Sequence, residues 1–443
     1  MMDTTEYQEN DRRLYPNIEQ GNTRKNRKGY FTRGVARSVQ AVLVELEGNP
    51  DLPKGLRYFI NIIRNTFEDT PGSEFLDPDV DNRKVVGIYC MMVPEELIYA
   101  AGAIPVRLSG GSYEASCIGD ELVPRDTCPV VKASIGLISL NFPSLYERCD
   151  VVIVPTTCDS KRKMGEELSK YKDVWMVEVP HIKETEGSRT QWLEQLYVLK
   201  KNLERYTDRK IRRKNLEVSI RMIRQVWYQA RRLYEFRRLS PSVISGREAA
   251  LVLNAYCYDT ASSWTEALTE LNNELEDRSK KGYFIGDNNT PRILLAGSPS
   301  VFPNWKIPSL IEEMGAVVVT EESCLGDRYF YDPVGTTEKT MKDILAGIGS
   351  RYIMPCICPS FAPNEDRLYR LLQIAEDFKI DGIIYHVLKG CIIYDFELIR
   401  VEKTMKDRGI AVLRIETDYN PEDIEQIRTR VEAFMEMLIV KKK

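Results

Sequence analysis

Two stretches of the chain alternate short apolar runs with segments of helical periodicity. The apolar runs are residues 85–89, 104–108, 151–154 and 174–179 in the first stretch, and 293–296, 316–319, 352–354, 382–388 and 411–415 in the second. Short apolar runs separated by helical segments are typical of parallel sheets whose faces are covered by helices. The pattern therefore predicts an α/β fold with two doubly wound parallel-sheet domains.

Helical periodicity without strand-like runs marks the rest of the chain. Residues 1–80 combine a polar tail with an amphipathic segment, whose apolar positions are Val42, Leu43, Leu46, Leu56, Phe59, Ile60 and Ile63. Residues 192–238 and 247–278 predict long helices with a break near Ser240-Pro241. The predicted parts are an N-terminal tail and helical segment (1–80), a first α/β domain (81–190), a helical connection (191–290) and a second α/β domain (291–443). A final helix is expected to begin at Asn420, its cap, and Pro421.

Composition and charge limit the possible partners. The chain has 443 residues, of which 43% are hydrophobic and 29% charged, as in soluble globular proteins. Its net charge of -4 provides no global basic field, which argues against nucleic acid as a partner. No apolar run approaches the roughly 20 residues of a membrane helix, and the N-terminus is polar. We therefore expect a cytoplasmic protein without a membrane partner.

Ten cysteines and only two histidines carry the candidate chemistry. A disulfide framework is not expected in a cytoplasmic chain of this size, and so few histidines disfavour an imidazole-rich zinc site. Cys158, Cys324 and Cys391 each follow a strand-like run within about five residues. Because ligands bind at the carboxyl ends of parallel strands, these cysteines predict one shared soft-metal site, most simply an iron-sulfur site.

Three cysteines also stand where a helix is predicted to begin. Cys128 precedes Pro129, and Cys158 and Cys391 each precede a helical pattern. Unpaired N–H groups at a helix start lower the pKa of a nearby thiol and can donate hydrogen bonds to cluster sulfurs.

The other cysteines are less distinctive. Cys149 and Cys257 are interpreted as buried side chains, since cysteine is among the most commonly buried residues. Cys356 and Cys358 form a Cys-x-Cys pair, of which at most one member is expected to reach a shared site.

No nucleotide-binding motif is visible. The chain has neither a phosphate-binding loop with Gly-Lys-Ser/Thr nor a Gly-x-Gly-x-x-Gly sequence after a strand. If the chemistry requires ATP, a separate protein must supply it.

Several segments resemble the 2-hydroxyacyl-CoA dehydratase and benzoyl-CoA reductase superfamily, and within it most closely the double-cubane cluster proteins. The segments are VPEELIYAAGA (93–103), VPRDTCPVVKAS (123–134), TTCDSKRKM (156–164), GSP (297–299), PNWKIP (303–308), ESCLG (322–326) and ETDY (416–419). The resemblance extends from about residue 85 to the end of the chain.

The resemblance implies a set of cluster ligands. In the superfamily three cysteines hold a four-iron cluster, and the matching positions are Cys128, Cys158 and Cys391. The double-cubane proteins add three ligands, for which the candidates are Cys117, Cys324 and Cys356. Cys90 is the competitor of Cys117.

The resemblance also implies a mechanism and its partners. A homodimeric ATPase with its own iron-sulfur cluster would drive low-potential electrons into this protein, which would reduce a small-molecule substrate at its double-cubane cluster. A homodimer is expected. The alternatives are a subunit of a 2-hydroxyacyl-CoA dehydratase or arene-CoA reductase with one four-iron cluster, and a cluster-bearing electron carrier without a substrate site.

Overall fold

Two parallel sheets of four strands each form the framework of the protein. The computed structural model describes residues 23–68, 83–335 and 340–442, so the predicted polar tail lies outside the described residues. The first sheet comprises β1 (Val85–Ile88), β2 (Ile104–Arg107), β3 (Cys149–Pro155) and β4 (Asp173–Val177), in the order β2-β1-β3-β4. The second comprises β5 (Arg292–Gly297), β6 (Val317–Glu322), β7 (Gly382–Leu388) and β8 (Ala411–Thr417), in the equivalent order β6-β5-β7-β8. The predicted α/β fold with two parallel sheets is confirmed.

Helices connect the strands and cover the sheets. In the described residues they are α1 (Thr23–Glu47), α2 (Leu56–Phe67), α3 (Glu95–Ala100), α4 (Tyr113–Gly119), α5 (Pro129–Leu140), α6 (Ser144–Glu147), α7 (Asp159–Leu168), α8 (Glu186–Thr207), α9 (Arg213–Arg238), α10 (Gly246–Ala255), α11 (Ala261–Lys280), α12 (Lys306–Glu313), α13 (Asp327–Phe330), α14 (Met341–Ile353), α15 (Glu365–Asp377), α16 (Ile392–Asp407) and α17 (Ile424–Lys442). None of these helices is long and apolar enough to cross a membrane.

The central strands are apolar because they are buried on both faces. Every residue of β1, β5 and β7 is buried, which explains why their sequences are continuous apolar runs rather than alternating patterns. Parallel strands need long crossover connections, and each connection between strands of one sheet contains at least one helix.

One predicted strand is wrong. Residues 352–354 were expected to form a strand, but Tyr352 and Ile353 form the last turn of α14. Ile344, Ile348 and Tyr352 recur at four-residue spacing and are buried, so the apolar run continues a helical face.

The long helical connection contains more breaks than the sequence suggested. The expected helix over residues 192–238 is divided into α8 and α9, and Asp208 between them adopts a left-handed conformation with φ 52°. At the C-terminus, Asn420 accepts a hydrogen bond from the Glu422 N–H as predicted, but a short 3-10 turn over Pro421–Asp423 precedes α17.

The two halves of the chain meet at the carboxyl ends of their strands. The loop after β2 approaches the loop after β5 so closely that a Cβ atom on Gly111 would lie 2.0 Å from the Val301 carbonyl oxygen. The Tyr419 hydroxyl, beyond β8, donates a hydrogen bond of 3.0 Å to the Gly110 carbonyl oxygen. The loops that follow the strands of both sheets are therefore brought to one place.

Candidate metal centre

A cavity of about 230 Å³ lies between the carboxyl ends of the two sheets. Six cysteines line it, namely Cys90, Cys128, Cys158, Cys324, Cys358 and Cys391. Four of the six stand two or three residues after the end of β1, β3, β6 or β7. Each of the six is partly exposed. Three come from each half of the chain.

Three of these cysteines are the caps of helices, as predicted. Cys128, Cys158 and Cys391 precede the first residues of α5, α7 and α16. At Cys128 a hydrogen bond from the Cys391 thiol is the main cause of a lowered pKa, and the N–H groups of Val130 and Val131 add to it against the effect of burial. Cys128 is thus the member of the pair whose pKa is lowered.

At the other two caps the expected lowering of the pKa is not found. The hydrogen bond with Cys128 and, after it, burial raise the pKa of Cys391. At Cys158 burial raises the pKa, although the charge of Lys161 and its N–H oppose this effect. The N–H groups at a helix start lower the pKa of a thiol only where their effect is larger than that of desolvation.

The six thiols can be divided into two groups of three that act on one another through their charges, and Cys358 of the second group also acts on Cys158 of the first. The first cysteine group is Cys128, Cys158 and Cys391, and the second cysteine group is Cys90, Cys324 and Cys358. In the first, the charge of Cys158 acts on Cys128, and the charge of Cys391 acts on Cys158. In the second, burial raises the pKa of Cys324, and the charges of Cys90 and Cys358 raise it further. Each group combines cysteines from both halves of the chain.

The donor set fits an iron-sulfur cluster better than a single ion. In the described parts of the chain, no His, Cys, Asp or Glu side chains converge as the ligands of one metal ion do. The cysteines of a cluster bind different irons and are held apart by the cluster itself. A cavity lined by six thiols and no imidazole suits iron and sulfide, because thiolates are the ligands of such clusters.

Two of the six predicted ligands lie elsewhere. Cys128, Cys158, Cys324 and Cys391 line the cavity, whereas Cys117 and Cys356 are not among the described residues that do so. Cys117 lies within α4, where burial raises the pKa of its thiol.

Cys356 is 2% exposed, and burial raises the pKa of its thiol to about 12. Its carbonyl oxygen accepts a hydrogen bond of 3.0 Å from the ammonium group of Lys183. Cys90 and Cys358 line the cavity instead.

The sequence contained a signal for one of these two cysteines. Cys90 stands two residues after β1, so the rule that selected the cysteines after the other strands also selects it. Cys358 had no such signal, because the direction of alternate residues in a loop depends on tertiary contacts. Asn364 contributes to that conformation, since its side-chain amide donates a hydrogen bond of 3.1 Å to the Cys358 carbonyl oxygen.

Cys149 and Cys257 are buried, as expected. Burial raises the pKa of both thiols to about 12, and neither is among the described residues that line the cavity.

Sequence reasoning did not identify the cationic side chains of the cavity, which are Arg107, Arg328 and Lys161. Two of them have carboxylate partners. Arg107 donates to Glu95 at 2.7 Å, and Arg328 forms an ion pair with Glu322.

Lys161 is different, because in the described part of the chain no carboxylate oxygen lies within 4.0 Å of its ammonium group. Its Nζ donates a hydrogen bond of 2.8 Å to the Tyr89 carbonyl oxygen. Burial lowers the pKa of Lys161, but the nearby thiols, first among them Cys90 and Cys324, outweigh burial and raise it.

Buried ion pairs hold the wall beside the second cysteine group. Glu322, at the end of β6, pairs with both Arg328 and Arg367, the latter at 2.7 Å. Arg328 also donates a hydrogen bond of 2.9 Å to the Tyr394 hydroxyl of α16. The two guanidinium groups keep the pKa of Glu322 below its usual value despite burial. This network fixes the loop that carries Cys324, because breaking a buried pair would leave an uncompensated charge.

Comparison with known proteins finds relatives over most of the chain. The pattern of the family described as 2-hydroxyglutaryl-CoA dehydratase, D-component, matches residues 90–438. The candidate dehydratase subunit YjiM of Escherichia coli (strain K12) is 30% identical over 80% of this chain and 91% of its own length. The (R)-phenyllactyl-CoA dehydratase beta subunit of Clostridium sporogenes is 22% identical over 86% of this chain and 98% of its own length. One of the benzoyl-CoA reductase subunits of Thauera aromatica is 23% identical over 59% of this chain and 67% of its own length.

These similarities define the class of protein. The chain belongs to the 2-hydroxyglutaryl-CoA dehydratase D-component family, within the 2-hydroxyacyl-CoA dehydratase and benzoyl-CoA reductase superfamily. Its relatives are named as dehydratase and reductase subunits. The resemblance identified from the sequence motifs is confirmed at this level.

Proposed function

We propose that this protein is the substrate-reducing component of an ATP-dependent iron-sulfur enzyme and holds a double-cubane cluster. The observation that carries the proposal is the set of six cysteines that line one cavity, three from each half of the chain. The ligands we propose are Cys90, Cys128, Cys158, Cys324, Cys358 and Cys391. Such a cluster, when bound, supplies low-potential electrons to a substrate.

The residues around the cavity have distinct roles in this proposal. The cap positions of Cys128, Cys158 and Cys391 direct helix N–H groups toward the sulfurs, where they can donate hydrogen bonds. Arg107 and Arg328 lie in the wall of the cavity and are held by Glu95 and Glu322. Apolar side chains such as Leu325 and Ile393 complete the lining and exclude water.

The source of electrons must be another protein. The sequence contains no nucleotide-binding motif, so we propose a homodimeric ATPase with its own iron-sulfur cluster as the electron donor. The protein itself would act as a homodimer in the cytoplasm, where thiols remain reduced.

A second function is favoured by the names of the relatives. A beta subunit of a 2-hydroxyacyl-CoA dehydratase and a subunit of benzoyl-CoA reductase are similar to this chain. The chain would then hold one four-iron cluster, with the first cysteine group as ligands, and act on a CoA ester. A cluster-bearing electron carrier without its own substrate is the third possibility.

Iron and acid-labile sulfide analysis of the anaerobically purified protein separates these functions. A double-cubane cluster requires about twice the iron per chain of a single four-iron cluster. Iron equal to one four-iron cluster would refute the double-cubane proposal. Turnover of a CoA ester would then distinguish the dehydratase or reductase subunit from the electron carrier. ATP hydrolysis by the protein alone would refute the proposed division of labour.

A further inference from the structure

Lys161 occupies an unfavourable position for a cation. It is in the first turn of α7, where the positive end of the helix dipole disfavours a positive charge. Its side chain is half-buried and reaches inward to the Tyr89 carbonyl oxygen at 2.8 Å. A carbonyl oxygen satisfies one of its three donors but does not neutralise its charge. A negative charge elsewhere in the cavity must therefore compensate the positive charge of Lys161.

The thiols of the cavity are the available negative charges. Lys161 lines the cavity together with the six cysteines, and its hydrogen bond to the Tyr89 carbonyl oxygen holds its ammonium group beside the residue that precedes Cys90. Arg107 and Arg328 already have carboxylate partners. In the described residues Lys161 is therefore the cavity cation whose charge is left for the cysteine sulfurs.

We propose that the charge of Lys161 compensates the negative charge of the cluster and makes the cluster easier to reduce. The inference rests on the proposed function. Reduction adds one electron from the donor to the cluster, and no bond needs to break. A nearby fixed positive charge stabilises the reduced cluster more than the oxidised one, because the reduced form is more negative by one charge. Removing that charge should make the reduction potential more negative.

The test is a reductive titration of the anaerobically purified holoprotein with titanium(III) citrate, followed by electron paramagnetic resonance. In Lys161→Met and Lys161→Gln we expect the equilibrium constant for the first reduction to fall about tenfold or more, which is about 59 mV for a one-electron couple. The matched control is Lys163→Gln, which removes the same charge from the same helix. Lys163 is exposed and pairs with Glu166, so its replacement should leave the potential unchanged.

Lys161→Arg separates the effect of charge from that of shape. This variant should keep the iron content and the potential of the wild type. If it behaves like Lys161→Met, or if the neutral variants have the potential of Lys163→Gln, the inference is wrong. Loss of iron from both neutral variants, with full iron in Lys161→Arg, would support charge compensation at the assembly of the cluster.

The failure of the inference and that of the proposed function are distinguishable. A wild-type protein without iron and sulfide overturns both. A wild-type protein with its full cluster, combined with unchanged potentials in the neutral variants, overturns the role of Lys161 and leaves the proposed function intact.

Discussion

Cys356 and Cys358, two cysteines of one loop, differ in solvent exposure. Cys356 is buried, and burial raises the pKa of its thiol to about 12. Cys358, two residues later, is partly exposed and lines the cavity. A thiol that lines the cavity can be deprotonated when a metal binds there, whereas a buried thiol that does not line the cavity cannot reach the metal. Residue type alone therefore does not decide which cysteine is a ligand.

Iron analysis of Cys358→Ala and Cys356→Ala tests this distinction. We expect Cys358→Ala to lose part of its iron and to keep the iron that the first cysteine group binds. We expect Cys356→Ala to keep all of its iron. The pair is matched, because the two changes are identical and two residues apart. Cys90→Ala and Cys117→Ala form a second matched pair with the same expectation. Full iron in Cys358→Ala and reduced iron in Cys356→Ala would reverse our assignment.

His386 on β7 is a buried titratable group that does not line the cavity. Its Nδ1–H donates a hydrogen bond of 3.2 Å to the Ser298 carbonyl oxygen, and burial lowers its pKa from 6.5 to about 4. Between these values the unfolded chain binds a proton that the folded protein does not bind. The stability contributed by the neutral ring is thus fully present above pH 6.5 and is lost as the pH falls toward 4.

His386→Asn should reduce this pH dependence while keeping a donor for Ser298. Between about pH 7.5 and pH 5 the free energy of unfolding of the wild type should fall by about 2 kcal/mol more than that of the variant. Urea unfolding at both pH values measures the difference. Equal losses in the two proteins would show that the ring does not titrate in this range.

Two connections at the element scale bring the first cysteine group together. The turn from β7 to α16 carries Cys391, and the loop before α5 carries Cys128. Gly390, which directly precedes Cys391, has φ +76° and packs against the loop that carries Cys128. A Cβ atom on Gly390 would lie 2.1 Å from the Asp126 carbonyl oxygen. A glycine at this position allows the two loops, from different halves of the chain, to approach each other.

Gly390→Ala should therefore separate the loops and lower the iron content. Gly409→Ala is a matched control, because Gly409 also has a positive φ of +70°, but no atom of the described residues lies within 4 Å of the place that its Cβ would take. Both substitutions incur backbone strain of about 1–2 kcal/mol, but only the first adds a backbone clash. Iron per chain is the measurement, and equal iron in the two variants would contradict this role of Gly390.

At the scale of the whole molecule, the cysteine groups connect the two sheets. Each group takes thiols from both halves of the chain, so each half of the cluster would bind across the boundary between them. The same boundary is supported by buried polar contacts, in which Glu95 of α3 accepts hydrogen bonds from Tyr256 at 2.6 Å and Tyr329 at 2.9 Å. Glu96 accepts another from Tyr352 at 2.7 Å.

Removal of the cluster should consequently destabilise the whole protein. A group that binds the folded state but not the unfolded state raises its stability. We expect the iron-free protein to melt at a lower temperature than the loaded protein, as measured anaerobically by circular dichroism. Reconstitution with iron and sulfide should restore the melting temperature. An identical melting temperature with and without iron would show that the metal does not link the two halves.

Much of this architecture could be predicted from the sequence, because it depends on local patterns. Eight of the nine predicted strands are present, and Cys128, Cys158 and Cys391 cap helices as expected. The exception at residues 352–354 arose because a three-residue apolar run has the same pattern in a strand and in the last turn of a buried helix.

The sequence by itself determined the parallel α/β framework and the concentration of cysteines at the strand ends, since the alternation of apolar runs with helical segments follows from local chemistry. Only the tertiary structure decided which cysteines share the cavity, because the approach of loops more than 200 residues apart along the chain places Cys90 near Cys324 and Cys358. It also decided the pKa order of Cys128 and Cys391 and the isolation of Lys161 from carboxylates. Burial and distance set these properties, and neither is encoded at a single position.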